Sequence, residues 1–353
     1  MKHVHKATSH STTSPGSLTS PNSAISTNIS NCSINMGLLT KYFALNDASS
    51  YITEDNCAQF SALIHTKTST GVDLHITAHQ SISKPIVLLH TTATTQNNIF
   101  LAPNTNANII EIFLNADDSD CFVNTTTDIV LAENSTLTYS VLQHNLTANA
   151  ATSNVNVQIN QQANSSLKMF TTASGGSSNR IVTTINLLGS NATCNFSAIE
   201  CPKLQQTHDI HLNIEHLIGN CGSETCVRGI VTDKAHAAFT GKITVHPNAS
   251  QSKANLQHKH LLLSPNAEVD SRPQLEIYND DVQCAHGSSI GQLDPEAIFY
   301  MQSRGIPMET ARQLLITGFL APIIAAIPSQ IQHYVRSITD SITDSIIELQ
   351  PGG

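Results

Sequence analysis

One short element recurs along the middle of the chain, and its spacing restricts the architecture more than any other feature. It is a small residue, a spacer, and an apolar residue that opens a strand-like run. It reads NANIIEIFL from Asn106, NSTLTYSVL from Asn134, NSSLKMFTT from Asn164, NATCNFSAI from Asn191, KAHAAFTGKITV from Lys234 and NAEVDSRPQLEI from Asn266. Successive starts lie 28, 30, 27, 43 and 32 residues apart. The wide fourth gap leaves room for one more unit near Cys221–Val231. Inside the units the apolar period is two. Leu137, Tyr139 and Val141 alternate with Thr138 and Ser140, and Val155, Val157 and Ile159 alternate with Asn and Gln. That is the pattern of a strand with one buried face. Short strands, polar Asn/Ser corners and a repeat of roughly 30 residues fit a parallel β-helix, whose coils stack on one another. A sandwich or jelly roll shows the same alternation and is the competing architecture.

Composition agrees with extended structure. Charged residues are 12% of the 353 and hydrophobic residues 40%, which excludes both a long coiled coil and a highly charged disordered chain. A net charge of −9 without a basic run is a poor match for nucleic acid. Eight cysteines would suit disulfides in a secreted protein, but the first residues show no apolar leader segment. A reducing, cytoplasmic compartment is therefore expected. Residues 1–31 carry no acid, two Lys and abundant Ser and Thr. They read as a disordered polar tail. A plastid location is the alternative, should they act as a transit peptide, which their lack of Arg opposes.

The expected organisation has three parts: a polar tail over 1–42, a β-helix over 43–292 and a helical region over 293–353. Asp294-Pro295-Glu296 is a strong helix start. That helix should stop at Gly305, and a second, from Pro307, should stop at Gly318. Ile331, Val335, Ile338, Ile342 and Ile346 mark the apolar stripe of a third. These helices are expected to cap the end of the solenoid, where unpaired backbone groups would otherwise face water. The apolar stretch Leu314–Ile327 holds Gly318 and Pro322 and falls short of the ~20 residues of a membrane span, so it reads as a buried or interfacial helix.

The stretch from Phe239 to Phe319 resembles the SufB/SufD family of scaffold subunits of iron–sulfur cluster assembly, and its SufD branch most closely. The motifs are LLLS (Leu261–Ser264), RPQLEI (Arg272–Ile277), DDVQCAHG (Asp280–Gly287) and FYMQSRGI (Phe299–Ile306). Weaker matches are ALNDA (Ala44–Ala48) and KPIVLLH (Lys84–His90). The resemblance implies a mainly β fold, a right-handed parallel β-helix with a C-terminal α-helical region. It implies a non-enzymatic scaffold that pairs with a SufB-like subunit through the last coils. It implies docking of the SufC ATPase through the helices, with Phe299, Tyr300, Arg304 and Gly305 near the contact, and a homodimer as the alternative assembly without SufB. Its cargo would be a transient iron–sulfur cluster or iron shared with the partner. The family usually has a helical region before the β-helix; here that region reads as short or absent, with the polar tail in its place.

Within DDVQCAHG, Cys284 and His286 stand at i and i+2 on one face of a strand, about 7 Å apart by strand rise. Thiolate and imidazole suit iron–sulfur and borderline metals, yet two ligands do not complete a tetrahedral site. The remainder must come from elsewhere in the fold, from sulfide or from a partner. The resemblance implies that His286, with Cys284 beside it, meets the nascent cluster. The bland alternative is a core Cys and a hydrogen-bonded His. His258 and His260 share a face by the same logic and are expected to face solvent, with interfacial iron handling as the alternative. Asp280-Asp281 and Asp117-Asp118 are expected to shape turns or meet partner charges, and the C-x4-C pair Cys221/Cys226 lacks the second donor pair of a structural zinc site. No G-x-x-x-x-G-K-[ST] loop offers a nucleotide site. Two rivals stay open: a SufB-like sister subunit, and an extracellular β-helix adhesin or polysaccharide-acting protein.

Overall fold

A computed structural model describes residues 25–28, 62–66, 71–90, 94–115, 122–145 and 152–348. The ALNDA segment, Asp117-Asp118 and nearly all of the expected tail lie outside them. Strands, numbered in chain order, fall into two nine-stranded sheets. One sheet holds β1 (Ile25–Asn28), β3 (Asp73–Ile76), β5 (Thr94–Leu101), β7 (Phe122–Leu131), β9 (Thr152–Gln161), β11 (Ser178–Leu187), β13 (Thr207–His216), β15 (His236–Val245) and β17 (Glu268–Ile277). The other holds β2 (Ala62–Thr66), β4 (Ile86–His90), β6 (Asn106–Asn115), β8 (Thr136–Asn145), β10 (Ser166–Ser174), β12 (Thr193–Glu200), β14 (Gly222–Val231), β16 (Lys253–Leu262) and β18 (Gln283–Gly291). Consecutive strands alternate between sheets and every pairing but one is parallel, so the chain winds as a β-helix rather than a sandwich or jelly roll. The exception is β1, four residues of the expected tail, which pairs antiparallel with β3.

The register stacks like on like. Val155, Ile181, Ile210 and Phe239 form one column of buried side chains, and Tyr139, Met169 and Phe196 another. Alternate residues of each strand thus fill a common lumen. The corners explain the recurring element. Asn104, Asn134, Asn164, Asn191, Asn220 and Gln251 have positive φ, at spacings of 30, 30, 27, 29 and 31. Asn tolerates this left-handed conformation better than most residues. The Asn104, Asn134, Asn164 and Asn220 amides donate to carbonyls of the next coil at 2.9–3.0 Å. Side chains add a ladder, Asn134 Nδ2 to Asn104 Oδ1 at 3.2 Å and Asn191 Nδ2 to Asn164 Oδ1 at 3.0 Å. The next residue is small or short and buried: Thr105, Ser135, Ser165, Ala192, Cys221 and Ser252. The first of the recurring elements thus turns at Asn104, not Asn106, and His79 (φ +62) makes the same turn one coil earlier. Lys234 and Asn266 belong to the opposite corners, which is why the spacing looked irregular. The coil expected in the wide gap is β14.

The C-terminal helices do not cap the solenoid, contrary to expectation. α1 (Pro295–Ser303) begins as foreseen: Asp294 Oδ1 accepts from the Glu296 amide at 2.9 Å and Pro295 opens the helix. α2 (Met308–Ala326) runs through Gly318 and Pro322 instead of ending there. α3 is Ser329–Glu348; the side chains of Ile342 and Ile346 lie outside the description. Ile316, Leu320, Ile323 and Ile324 of α2 and Ile331, Tyr334, Val335 and Ile338 of α3 pack on the outward residues of one sheet, from Val87 and Leu89 through Ile110, Leu142 and Phe170 to Ile199 and Ile230. Each such side chain contributes about 1.5–3 kcal/mol on burial, more than the ~1 kcal/mol that Gly costs a helix. The Arg228 guanidinium lies 5.0 Å from the Phe319 ring centroid and donates to the Phe319 carbonyl, tying α2 to β14. Leu314–Ile327 is thus a flank-packing segment, and no helix among the described residues is long and apolar enough to cross a membrane.

Two expectations follow. Asn164→Val should lower the urea midpoint, by about 1–2 kcal/mol for a β-branched residue in a left-handed corner, whereas Asn164→Gly should be nearly neutral. Burial lowers His208 and His216 to about 4 from an ordinary value near 6.5. The unfolded chain therefore binds more protons between those values. The stabilisation from neutral imidazoles is complete above pH ~6.5 and is lost as pH falls toward ~4, by up to ~1.4 kcal/mol per pH unit for each. The urea midpoint should fall between pH 7 and pH 5, and His208→Asn should flatten that fall.

Candidate functional site at the open end of the solenoid

The last coil is bare. Among the described residues β17 pairs only with β15 and β18 only with β16, so each has a free edge. Pro273 sits in β17, and an edge strand tolerates its missing amide donor. The inward series on β18 is Cys284, His286, Ser288 and Ile290, in register with Ala254, Leu256, His258 and His260 of β16. With no further coil above them these residues lie over the mouth of the lumen. Cys284 is half-buried against the main core, and His286 is exposed. Burial raises the Cys284 thiol above its ordinary value, opposed by a hydrogen bond from the Ala254 backbone. A metal would have to displace that proton to take the sulfur as ligand. Asp281 accepts from the Gln251 amide at 2.6 Å through its carbonyl and donates its own amide to Asn279 Oδ1 at 2.9 Å, so the turn reading of Asp280-Asp281 fits.

The family described as "SUF system FeS cluster assembly, SufBD core domain" matches residues 87–319. The chain belongs to the SufBD family. Among its relatives, the iron–sulfur cluster assembly protein SufD of Escherichia coli (strain K12) is 31% identical over 258 residues, covering 70% of this chain and 60% of that protein. The chloroplastic protein ABCI7 of Arabidopsis thaliana is 30% identical over 226 residues, 63% of this chain and 47% of the relative. SufD of Bacillus subtilis (strain 168) is 33% identical over 145 residues, 41% of this chain and 33% of the relative. The chain thus spans less than two thirds of the length of each of these relatives.

In this SufBD-family chain, α1 forms an exposed apolar patch beside the bare coil. Phe299 is 73% exposed and Tyr300 60%, and on α2 Leu314 is 50% exposed. The Arg304 guanidinium lies 5.3 Å from the Tyr300 ring centroid. Gly305 has φ +83 and closes the helix, its amide donating to the Gln302 carbonyl at 2.9 Å. An open groove of about 490 Å³ runs between α1 and the corner at Leu262–Pro265.

His258 and His260 are not solvent-facing, as expected from the sequence, but buried at 0% and 2% exposure. β16 puts Ala254, Leu256, His258 and His260 inward, and Phe239 stacks on the His258 ring at 4.5 Å. The column below His260 holds Gly229 and then Glu200, whose strands pair in register. A Cβ on Gly229 would lie 1.9 Å from His260 Nε2, so only glycine leaves room for the ring to reach toward Glu200. Neither Glu200 nor Gly229 was singled out in the sequence. Their signal was phase: Glu200 continues the inward set Cys194, Phe196, Ala198. Cys221 and Cys226 do not pair: the first lies in the lumen core and the second packs toward the helices. The described cysteines form no disulfide. Gly229→Ala should displace His260 and lower stability by about 1–3 kcal/mol, read from urea midpoints against wild type.

Proposed function

We propose that this chain is a non-enzymatic scaffold subunit of iron–sulfur cluster assembly, whose bare terminal coil forms half of a cluster-building site. The observation that carries the reading is the placement of Cys284 and His286 together on a terminal strand with a free edge. Two donors at an open rim leave coordination positions for sulfide and for a second chain. A parallel ladder with unpaired N–H and C=O groups is a surface onto which another strand adds. The favoured partner is a SufB-like subunit, with self-pairing through the same rim as the alternative. Family membership and the SufD relatives support the assembly role.

The exposed Phe299, Tyr300 and Arg304, with Gly305 setting the turn after them, are proposed as the docking surface of a SufC-type ATPase. An apolar patch of this kind, next to a groove and rimmed by polar residues, marks protein contact sites. ATP turnover would belong to that partner. A cytoplasmic location, or a plastid one as for the chloroplastic relative, fits this reading.

The test is co-expression with SufB- and SufC-type partners. His286→Ala should reduce cluster yield on the purified complex at least tenfold while leaving the subunits associated. Phe299→Ser with Arg304→Glu should instead release the ATPase while leaving the rim pairing intact. Unchanged cluster yield in the His286 variant would rule out the site.

A further inference from the structure

Two buried glutamates point into the lumen, and they differ in what surrounds them. Glu111 is saturated. His90 Nε2 lies 2.9 Å from Oε1, Asn97 Nδ2 donates at 2.7 Å, Thr127 Oγ1 is 3.0 and 3.1 Å from the two oxygens, and the Tyr139 hydroxyl also donates. Glu200 is as deeply buried, at 1% exposure, yet among the described residues neither carboxylate oxygen has a hydrogen-bond partner. The groups nearest it are equally unsatisfied. Both ring nitrogens of His260 and Nε2 of His258 lack hydrogen-bond partners among the described residues, and His260 Nε2 stands 3.7 Å from Glu200 Oε2. Unpartnered polar atoms in such a place cost about 1–3 kcal/mol each, and several converging on one point ask for a common ligand.

We propose that Glu200, His258 and His260 bind a divalent transition-metal ion, Fe(II) or Zn(II), inside the solenoid beneath the rim. One donor atom from each lies within 4.8 Å of the others, in the one such cluster of three or more His, Cys, Asp or Glu found among the described residues. Donors around a tetrahedral ion at about 2.0–2.1 Å stand roughly 3.3 Å apart, so modest rotamer shifts close the set. Two imidazoles and a carboxylate are the donor set of both zinc sites and ferrous facial triads, and oxygen-preferring Ca²⁺ or Mg²⁺ is disfavoured. The surroundings orient the ligands. Ser271 Oγ is 2.8 Å from His258 Nδ1, which directs Nε2 into the cluster, and the His258 and His260 rings lie 4.3 Å apart. Gly229 provides the room. Ser271 is in turn 2.8 Å from Ser288 Oγ on β18, so a hydroxyl chain connects the cluster to the strand that carries Cys284 and His286. In register, His258 lies one coil below Ser288, about 4.8 Å away by strand spacing, so the rim is the access side.

The test uses full-length protein stripped with a chelator and loaded with Zn(II) or, without oxygen, Fe(II) salts. Wild type should retain one ion per chain after desalting, and Cys284→Ser with His286→Ala should retain it too, because the rim is a separate site. Glu200→Gln with His260→Asn should lower affinity at least roughly tenfold. X-ray absorption on loaded wild type should show a nitrogen/oxygen shell without sulfur, a readout that stands even if the double variant does not fold. Retention of one metal and not the other decides between iron and zinc. No bound metal in wild type, unchanged binding in the folded Glu200/His260 variant, loss of the ion with the rim pair, or sulfur in the first shell would each overturn the proposal. Failure of cluster assembly in the His286 variant, with this ion still bound, leaves the two sites distinguished.

Discussion

Everything in this molecule depends on parallel strands stacking in register. Once that register is set, each side chain has one neighbour above and one below, about 4.8 Å away, and cannot exchange them. The lumen must therefore be filled column by column. Ordinary columns are Val, Ile, Leu and Phe, as from Val155 to Phe239. Where a polar residue falls in phase, its neighbours must answer it. Around Glu111 they do so with hydrogen bonds. Around Glu200 the answer includes a missing side chain, at Gly229, that lets an imidazole from two strands away approach.

The same rule makes the two ends of the solenoid unlike its middle. An inward residue is buried only because a further coil lies above it. Cys284 and His286 hold inward positions with no described residue stacked above them, so they are lumen residues by register, yet His286 is exposed and Cys284 only half-buried. This dual character suits a site completed by another chain. It depends on the helices leaving the end bare, which they do by folding back onto the flank.

Much of this was legible in the residues. Period-two alternation at Leu137, Tyr139 and Val141 and the Asn corners near 30-residue spacing specified a stacked β-helix, and Asp294-Pro295 announced the first helix. Which corner each repeat marked was not legible, because Lys234 and Asn266 resemble the Asn corners locally while sitting on the opposite edge. Helix 308–326 ran past Gly318 because burial against Ile199 and Ile230 outweighs local propensity, and propensity is all a single sequence displays. His258 and His260 looked solvent-facing because polarity was taken for exposure. Their phase with Ala254 and Leu256 was the better guide. Glu200 was overlooked for the same reason.

The flank helices have one more effect. A bare stack of coils resembles a one-dimensional chain of units, each held only by its neighbours, and such chains fray from their ends. Here α2 and α3 contact outward residues from Val87 on β4 to Ile230 on β14. They act as a strap across coils that never touch one another. Loosening any one coil then weakens the grip on the rest, so the middle of the molecule should melt as a block, while the last coil, outside the strap, keeps the freedom to adjust to whatever docks there.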